Sequence, residues 1–109
     1  MEVQRLAALT AFAPDRMQKV NLFETSRFFC DVYCFEPGQV QGGHVHQGED
    51  KVYVVLEGRG RFTVGREEAD LGALEATLAP AGVTHGVANA GPGRLVVLVF
   101  MAPHPGPKG

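Results

Sequence analysis

Glycine and proline divide this chain into short extended segments. The 109 residues include 14 glycines and 7 prolines. These turn-forming residues recur about every eight to twelve residues between runs of apolar and β-branched side chains, which is typical of all-β sandwiches and barrels. No segment longer than a couple of turns has helical periodicity. The chain is also too short for a second core, so the sequence predicts one all-β domain.

Individual strands are predicted where apolar runs lie between turn signals. The residues before the first strand are ambiguous, since 6–9 suit either a helical turn or an edge strand. Segments 51–56 and 61–64 are expected to pair as a hairpin across the turn at Gly58. Residues 28–36 are expected to bury both faces, because only Asp31 interrupts the apolar alternation. The remaining predicted strands are 20–24, 67–71, 76–79, 86–88 and 94–101.

The domain is expected to span residues 1–109, with its core at about 20–101. The last segment, 102–109, is rich in proline and glycine, which predicts a tail that is disordered or draped over the surface. His104 lies in this tail and is expected to be exposed to solvent.

Charge and hydropathy narrow the possible partners and the location. The formal net charge is −2, so no surface for nucleic-acid phosphates is predicted. The longest apolar run, 95–102, has the length of a strand and is too short to span a membrane. The first residues lack the features of a signal peptide, so we expect a cytoplasmic protein.

The two cysteines are expected to be reduced. Cys30 and Cys34 lie in a predicted strand, where four residues span about 13 Å. That separation exceeds what a disulfide allows. Two packing thiols are therefore expected, and a metal-binding role for them is a minor alternative.

Histidine spacing indicates a metal site. His44 and His46 are separated by one residue, and on a strand such residues share a face. A third histidine, His85, follows in a later turn-rich segment. Neutral imidazole binds zinc, copper, iron and nickel. One histidine on an inner face is more simply a hydrogen-bonded core residue, but three that converge predict a divalent metal site.

These residues carry a resemblance to a known family. The chain resembles the cupin superfamily, in particular its small single-domain members of the Cupin_2 type, whose two motifs lie on a double-stranded β-helix, or jelly-roll barrel. The resemblance implies that fold, a divalent metal ion (Zn, Fe, Mn, Ni or Cu) held by His44, His46 and His85, and a small-molecule ligand in the barrel. The first motif is matched by Gly38, His44, His46 and Gly58, and the second by Pro80, Gly82, His85 and Asn89.

Two positions depart from the family pattern. Lys51 stands where the family has its metal-binding glutamate, and an ammonium repels a divalent cation. Three outcomes are open, in this order: the metal is held by the three histidines with water, Asp50 (or the nearby Glu49) supplies a fourth ligand, or the metal is lost and Lys51 binds an anion. The second departure is Leu74, which replaces the first glycine of the second motif; a loop of different length explains it, with Gly72 nearby.

The resemblance leaves the activity open. One reading is an enzyme of small-molecule metabolism, such as a dioxygenase, isomerase or cyclase, with Glu49, Asp50, Lys51 and Tyr53 as candidate acid–base groups. The alternative is a non-catalytic binding or sensing module, possible without a metal, and a third reading is a purely structural dimer. Fold alone does not choose among them. Strands buried on both faces in so small a domain, together with the resemblance, predict a homodimer, while neither nucleic acid nor membrane is expected as a partner.

Overall fold

The computed structural model describes residues 1–106, and these form nine strands and one helical turn. Residues 107–109, the end of the predicted tail, lie outside the described residues. Within the described part, no helix has the length and hydropathy that crossing a membrane requires. The elements are α1 Leu6–Leu9, β1 Gln18–Glu24, β2 Phe29–Phe35, β3 Val40–His44, β4 Asp50–Glu57, β5 Arg59–Val64, β6 Glu67–Gly72, β7 Ala76–Ala79, β8 His85–Ala88 and β9 Leu95–Ala102.

The strands form two antiparallel sheets. The larger sheet has five strands in the order β1-β2-β9-β4-β7, and the smaller has four in the order β3-β8-β5-β6. Strands that follow each other in the chain often lie in opposite sheets, as expected for a jelly-roll barrel. The predicted all-β, double-stranded β-helix fold is confirmed.

One predicted strand pairing is wrong. The β4 strand pairs with β7 and β9, whereas β5 pairs with β6 and β8 in the other sheet. The turn between β4 and β5 therefore carries the chain from one sheet to the other instead of closing a hairpin. Gly58 makes this crossing at φ 80°, and a side chain there would collide with the carbonyl oxygen of Arg94. The sequence signal for a tight turn is correct, but it does not say which strands the turn joins.

The main core lies between the sheets. On β4, side chains alternate, so that Lys51, Tyr53 and Val55 are buried and face the smaller sheet. They lie beside inward-facing residues of β2 and β9, in the register Phe29–Met101–Lys51. The rest of this core includes Tyr33, Phe35, Phe62, Val87, Leu95, Val97 and Val99.

A second cluster covers the outer face of β2. Val32, Cys34 and Val96 are buried there against Leu22, and Leu6, Leu9 and Phe12 of the N-terminal segment pack over them. The prediction that both faces of β2 are buried is therefore correct. Since the chain's own N-terminal segment supplies the cover, this burial does not by itself call for a partner. The homodimer stays a prediction.

The cysteines of β2 are both free thiols. Cys34 is fully buried and Cys30 is half-buried. Burial raises the pKa of each thiol, so both are protonated at neutral pH. They act as packing groups on the outer face of the sheet.

The segment after β9 lies against the first two strands. His104 Nε2 is 2.7 Å from Glu24 Oε2, and the His104 backbone N–H donates to the Arg27 carbonyl at 2.9 Å. Its ring meets Phe29 edge-on, with 5.8 Å between centroids. His104 is therefore half-buried, and the expectation that it is exposed is wrong. Its place matches the draped form of the predicted tail, whose flexibility stays a prediction.

Candidate metal and ligand site

Pairing of β3 with β8 brings the first and third histidines together. His44 ends β3 and is the Cα partner of His85, which begins β8. The register shifts between Gln41 and His44, and the two backbones come close there. A side chain at Gly86 would lie 3.1 Å from the Gln41 carbonyl oxygen, so only glycine fits without displacing the backbone. The pairing of β3 with β8 in the smaller sheet therefore places His85 next to His44.

His46 reaches the same place by a different route from the one predicted. It lies two residues beyond the end of β3, so the two histidines do not share a strand face. Its imidazole nevertheless lies 6.4 Å from that of His44 and 5.4 Å from that of His85, measured between ring centroids. We call His44, His46 and His85 the three-histidine cluster.

The cluster is close to the spacing that a metal ion requires. Metal–nitrogen bonds of about 2.1 Å in tetrahedral geometry place ring centroids about 5 Å apart. The His46–His85 pair has this spacing, whereas His44 is 6.5 Å from His85. In residues 1–106, no group of three or more His, Cys, Asp or Glu side chains is gathered tightly enough to hold a metal as it stands. His44 is exposed at the end of a strand, so a side-chain rotation that moves its ring by about 1 Å closes the set.

His85 is held in the orientation of a ligand. Its Nδ1 lies 3.0 Å from the Val83 carbonyl oxygen. This contact places the proton on Nδ1 and leaves a lone pair on Nε2. Nε2 is buried and has no hydrogen-bond partner among the described residues. An unpaired buried acceptor costs about 1–3 kcal/mol, and a metal ion or ligand would remove that cost, so the residues fit the metal that the fold implies.

Burial and charge keep the histidines neutral. Partial loss of solvation is the main factor that lowers the pKa of His44, His46 and His85, and the positive charge of Lys51 lowers all three further. Imidazole must lose its proton to bind a metal ion. The environment therefore supplies the protonation state that ligation needs at neutral pH.

Lys51 projects into the barrel interior beside the histidines. Only 1% of its surface is exposed. Its Nζ lies 5.1 Å from the ring centre of Tyr33 and 5.2 Å from that of Tyr53, which are cation–π distances. Burial, with a further contribution from Lys19, lowers the pKa of Lys51 to about 8. The position that departs from the family motif thus faces the site.

A cavity of about 340 Å³ adjoins the cluster. Gln41 and Tyr33 line it and contact each other, since Gln41 Nε2 donates to the Tyr33 hydroxyl at 3.3 Å. Gln41 Oε1 is buried without a partner among the described residues. Sequence reasoning did not identify Lys19, Tyr33 or Gln41 as site residues. The described residues that line the cavity are Lys19, Phe29, Tyr33, Gln41, His44, His46, Lys51, Met101, Pro105 and Gly106.

The two carboxylates considered as a fourth ligand do not line this cavity. Asp50 points to the opposite face of β4 from Lys51, and its Oδ1 accepts a hydrogen bond from the Ala81 N–H at 2.9 Å. Glu49 Oε2 accepts from the Gly48 N–H at 2.9 Å. Asp50 instead holds the loop that leads into β8 and His85.

Two further candidates are buried, and the Tyr53 hydroxyl has no hydrogen-bond partner among the described residues. Tyr53 is fully buried, its ring lies 6.2 Å from that of His85, and burial raises the pKa of its phenol. Asn89 is buried, and its Nδ2 donates to the carbonyl oxygens of Phe35 and Gly93 while its Oδ1 accepts from Gly91. The preference for a turn role over a ligand role at Asn89 is confirmed.

Comparison with known proteins identifies the family. The Cupin domain profile of the Cupin_2 family matches residues 31–101. The chain belongs to the cupin family. Members of this family often bind a metal ion. A search of curated proteins found no match.

Solved structures agree with this cupin assignment. TT1209 from Thermus thermophilus is 43% identical, with a TM-score of 0.93 over 95% of this chain and 99% of that chain. KdgF from Halomonas sp. is 22% identical, with a TM-score of 0.77 over 85% of this chain and 84% of that chain. A predicted oxalate decarboxylase from Thermotoga maritima is also 22% identical, with a TM-score of 0.76 over 80% of each chain. The last two likenesses show the fold alone.

Proposed function

We propose that this cupin holds a divalent metal ion through His44, His46 and His85 and binds a small organic molecule in the adjoining cavity. The observation that carries the proposal is the buried Nε2 of His85, which has a lone pair and no hydrogen-bond partner among the described residues. Two neutral imidazoles lie beside it. Three nitrogen donors suit Zn, Fe, Mn, Ni or Cu and leave positions open for a ligand.

Within this proposal, the protein residues orient the metal ligands and the bound molecule. The bound metal ion would act as a Lewis acid toward an oxygen atom of the ligand. Val83 fixes the ring of His85, while Tyr53 and Phe62 pack together behind it with 5.3 Å between ring centroids. Lys51 and His46 border the space that the ligand would occupy. Because a bound metal ion would supply a Lewis acid at the cavity, the first candidate is an enzyme of small-molecule metabolism.

A non-catalytic binding module is the second candidate, and the carboxylates favour it. Neither Glu49 nor Asp50 lines the cavity, so no Asp or Glu of the described chain is placed there for proton transfer. The two candidates differ in access to the metal. An enzyme is expected to keep a rapidly exchanging water on the metal, measured as enhanced water proton relaxation in Mn²⁺-loaded protein. A closed site without such water would support the binding module.

The first test is metal content after reconstitution. Wild-type protein is expected to retain about one equivalent of metal by elemental analysis, because a small rotation of His44 brings three imidazoles within reach of one ion. Removing a ligand in His46→Ala or His85→Ala is expected to weaken binding at least about 100-fold, as measured by competition with a chromogenic chelator.

The fourth histidine provides the matched control. His104 contacts Glu24 and lies outside the three-histidine cluster, so His104→Ala is expected to bind metal like the wild type. Because His85 is buried, the fold of each variant is checked by circular dichroism. His46 lies at a half-buried loop position, so His46→Ala tests metal binding even if His85→Ala does not fold. Full metal retention in both cluster variants, or a wild type that takes up no metal, would contradict the proposal.

The homodimer is retained as part of the proposal. The outer face of the larger sheet presents apolar side chains, with Leu78 52% and Phe100 38% exposed. Val52 lies between them in the register of β7, β4 and β9, so the three form a stripe that a second copy would cover. Light scattering is expected to give twice the chain mass of 11.7 kDa, and a monomer at micromolar concentration would refute this expectation.

A further inference from the structure

The cavity beside the histidines carries positive charge. Lys51 and Lys19 both line it, and none of the lining residues within 1–106 is Asp or Glu. The acid that acts on Lys51 electrostatically is Asp31, whose Oδ1 accepts a hydrogen bond from Asn21 at 3.0 Å. No carboxylate lies within ion-pair distance of Lys51 among residues 1–106. The ligand that suits this surface is an anion.

Lys51 is the residue whose bonding is incomplete. An ammonium has three N–H donors, and none of them donates to a described residue. The rings of Tyr33 and Tyr53 flank the charge and stabilise it only in part, since cation–π contacts contribute about 1–2 kcal/mol. Burial of an unpaired charge is unfavourable unless a partner arrives. The arrangement is therefore one that binding of an anion would complete.

We propose that Lys51 binds the carboxylate of a small organic acid in this cavity. The inference rests on the proposed function in one respect, namely that the cavity beside the three-histidine cluster is the ligand site. The Tyr33 hydroxyl accepts from Gln41 and so keeps its own hydrogen to donate to a carboxylate oxygen. A volume of about 340 Å³ is at the low end for ligand pockets, so the acid is small.

Apolar side chains line the cavity beside the charge and suit the rest of the ligand. Phe29 and Met101 lie in the same register row as Lys51, and Pro105 closes the cavity from the segment after β9. A short aliphatic acid places its carboxylate at Lys51 and its chain against these residues. An uncharged amide of the same shape gains the apolar contact without the charge interaction.

The chain provides its own reporter for this binding. It contains two tyrosines and no tryptophan, and both tyrosine rings flank Lys51. Intrinsic tyrosine fluorescence therefore reports on the cavity.

Titration with propionate is expected to give a saturable change in tyrosine fluorescence, and propionamide is expected to bind at least about tenfold more weakly. Lys51→Met and Lys51→Gln are both expected to lose propionate binding by at least about tenfold, whereas Arg66→Met, which removes a charge in the exposed β5–β6 turn, is expected to bind like the wild type.

Titrations of chelator-treated and metal-loaded protein separate this inference from the proposed function. Binding that depends on Lys51 in both forms supports the inference. Propionate binding that requires metal and is unchanged in Lys51→Met would overturn the inference, while the proposed metal site would remain supported. If reconstitution fails but Lys51-dependent binding persists, the metal proposal fails and the inference holds. Equal affinity for propionate and propionamide, or a preference for inorganic phosphate over propionate, would overturn the assignment of an organic acid.

Discussion

Replacing Lys51 with glutamate is expected to raise the affinity of the three-histidine cluster for a divalent metal ion by at least about 100-fold. The substitution restores the residue that the cupin motif has at this position. Lys51 lines the same cavity as His44 and His46 and lowers the pKa of all three cluster histidines, which shows that its charge acts on the cluster. At an effective dielectric constant of about 20, a unit charge about 6 Å from a divalent cation contributes about 5 kcal/mol. Replacing the positive charge with a negative one therefore changes the free energy of metal binding by more than the roughly 3 kcal/mol that a 100-fold change in affinity requires, even after solvent screening.

The measurement is a competition titration with a chelator at pH 7, on Lys51→Glu and wild-type protein. Arg66→Glu makes the same change in net charge at the exposed β5–β6 turn, outside the cavity lining, and is expected to change metal affinity less than about threefold. A second signature is thermal: metal should raise the melting temperature of Lys51→Glu more than that of wild type, by mass action. Equal affinities for Lys51→Glu and wild type would show that position 51 does not face the bound metal, and the motif-based placement of the site would then be wrong.

The parts of this site that the sequence predicts are those carried by local motifs. His44, His46 and His85 follow from spacing and from the two cupin motifs, and Lys51 is located by counting back from Gly58. The structure brings all four to one end of the barrel. Such motifs work because the ligand residues sit on turns and strand ends whose geometry is set by nearby glycines and prolines.

The parts that the sequence does not predict depend on register between distant strands. Lys19 is paired with Tyr33 across β1 and β2, and Gln41 reaches Tyr33 from the other sheet. Periodicity within a single segment does not predict such contacts, because they depend on which strands become neighbours in the sheets. The wrong hairpin between β4 and β5 has the same cause, since a tight turn signals a reversal and not a partner.

The direction of the Asp50 side chain shows a second limit of predicting site residues from the sequence. Counting three residues on from His46 makes Asp50 a plausible ligand. On β4, however, alternate side chains point to opposite faces, and the buried row that begins at Lys51 leaves Asp50 on the outside. A one-residue choice thus decides whether a carboxylate or an ammonium enters the barrel, and sequence position alone does not make that choice.

Lys51→Met is expected to stabilise the metal-free, ligand-free protein by about 2 kcal/mol at pH 7. Burial, with a further contribution from the charge of Lys19, lowers the pKa of Lys51 from 10.5 to about 8, so the folded state disfavours the charged form by about 3 kcal/mol. Methionine fills the same space without a charge, but loses about 1 kcal/mol of cation–π contact with Tyr33 and Tyr53. Chemical denaturation measures the difference, and Arg66→Met, an exposed substitution, is expected to lie within about 0.5 kcal/mol of wild type.

The pH dependence identifies the cause of this stabilisation. Below pH 8, Lys51 is charged in both folded and unfolded states, so the burial cost is fully present. Between about pH 8 and 10.5 the unfolded chain binds the extra proton, and the contribution of Lys51 to stability rises with pH. Cys30, Cys34 and Tyr33 act in the opposite direction, because their raised pKa values make the folded state retain protons at high pH.

Comparing wild type with Lys51→Met cancels those other groups. The stability advantage of the variant is therefore expected to shrink by about 2 kcal/mol between pH 7.5 and pH 10, as Lys51 of the folded wild type loses its proton. An advantage that stays constant over this range would mean that methionine stabilises by packing and not by removing a buried charge. A variant less stable than wild type at pH 7 would mean that Lys51 is held there for stability, between Tyr33 and Tyr53, and that its charge needs no ligand. The expected outcome, a lysine that costs stability and binds an anion, is the pattern of a functional residue.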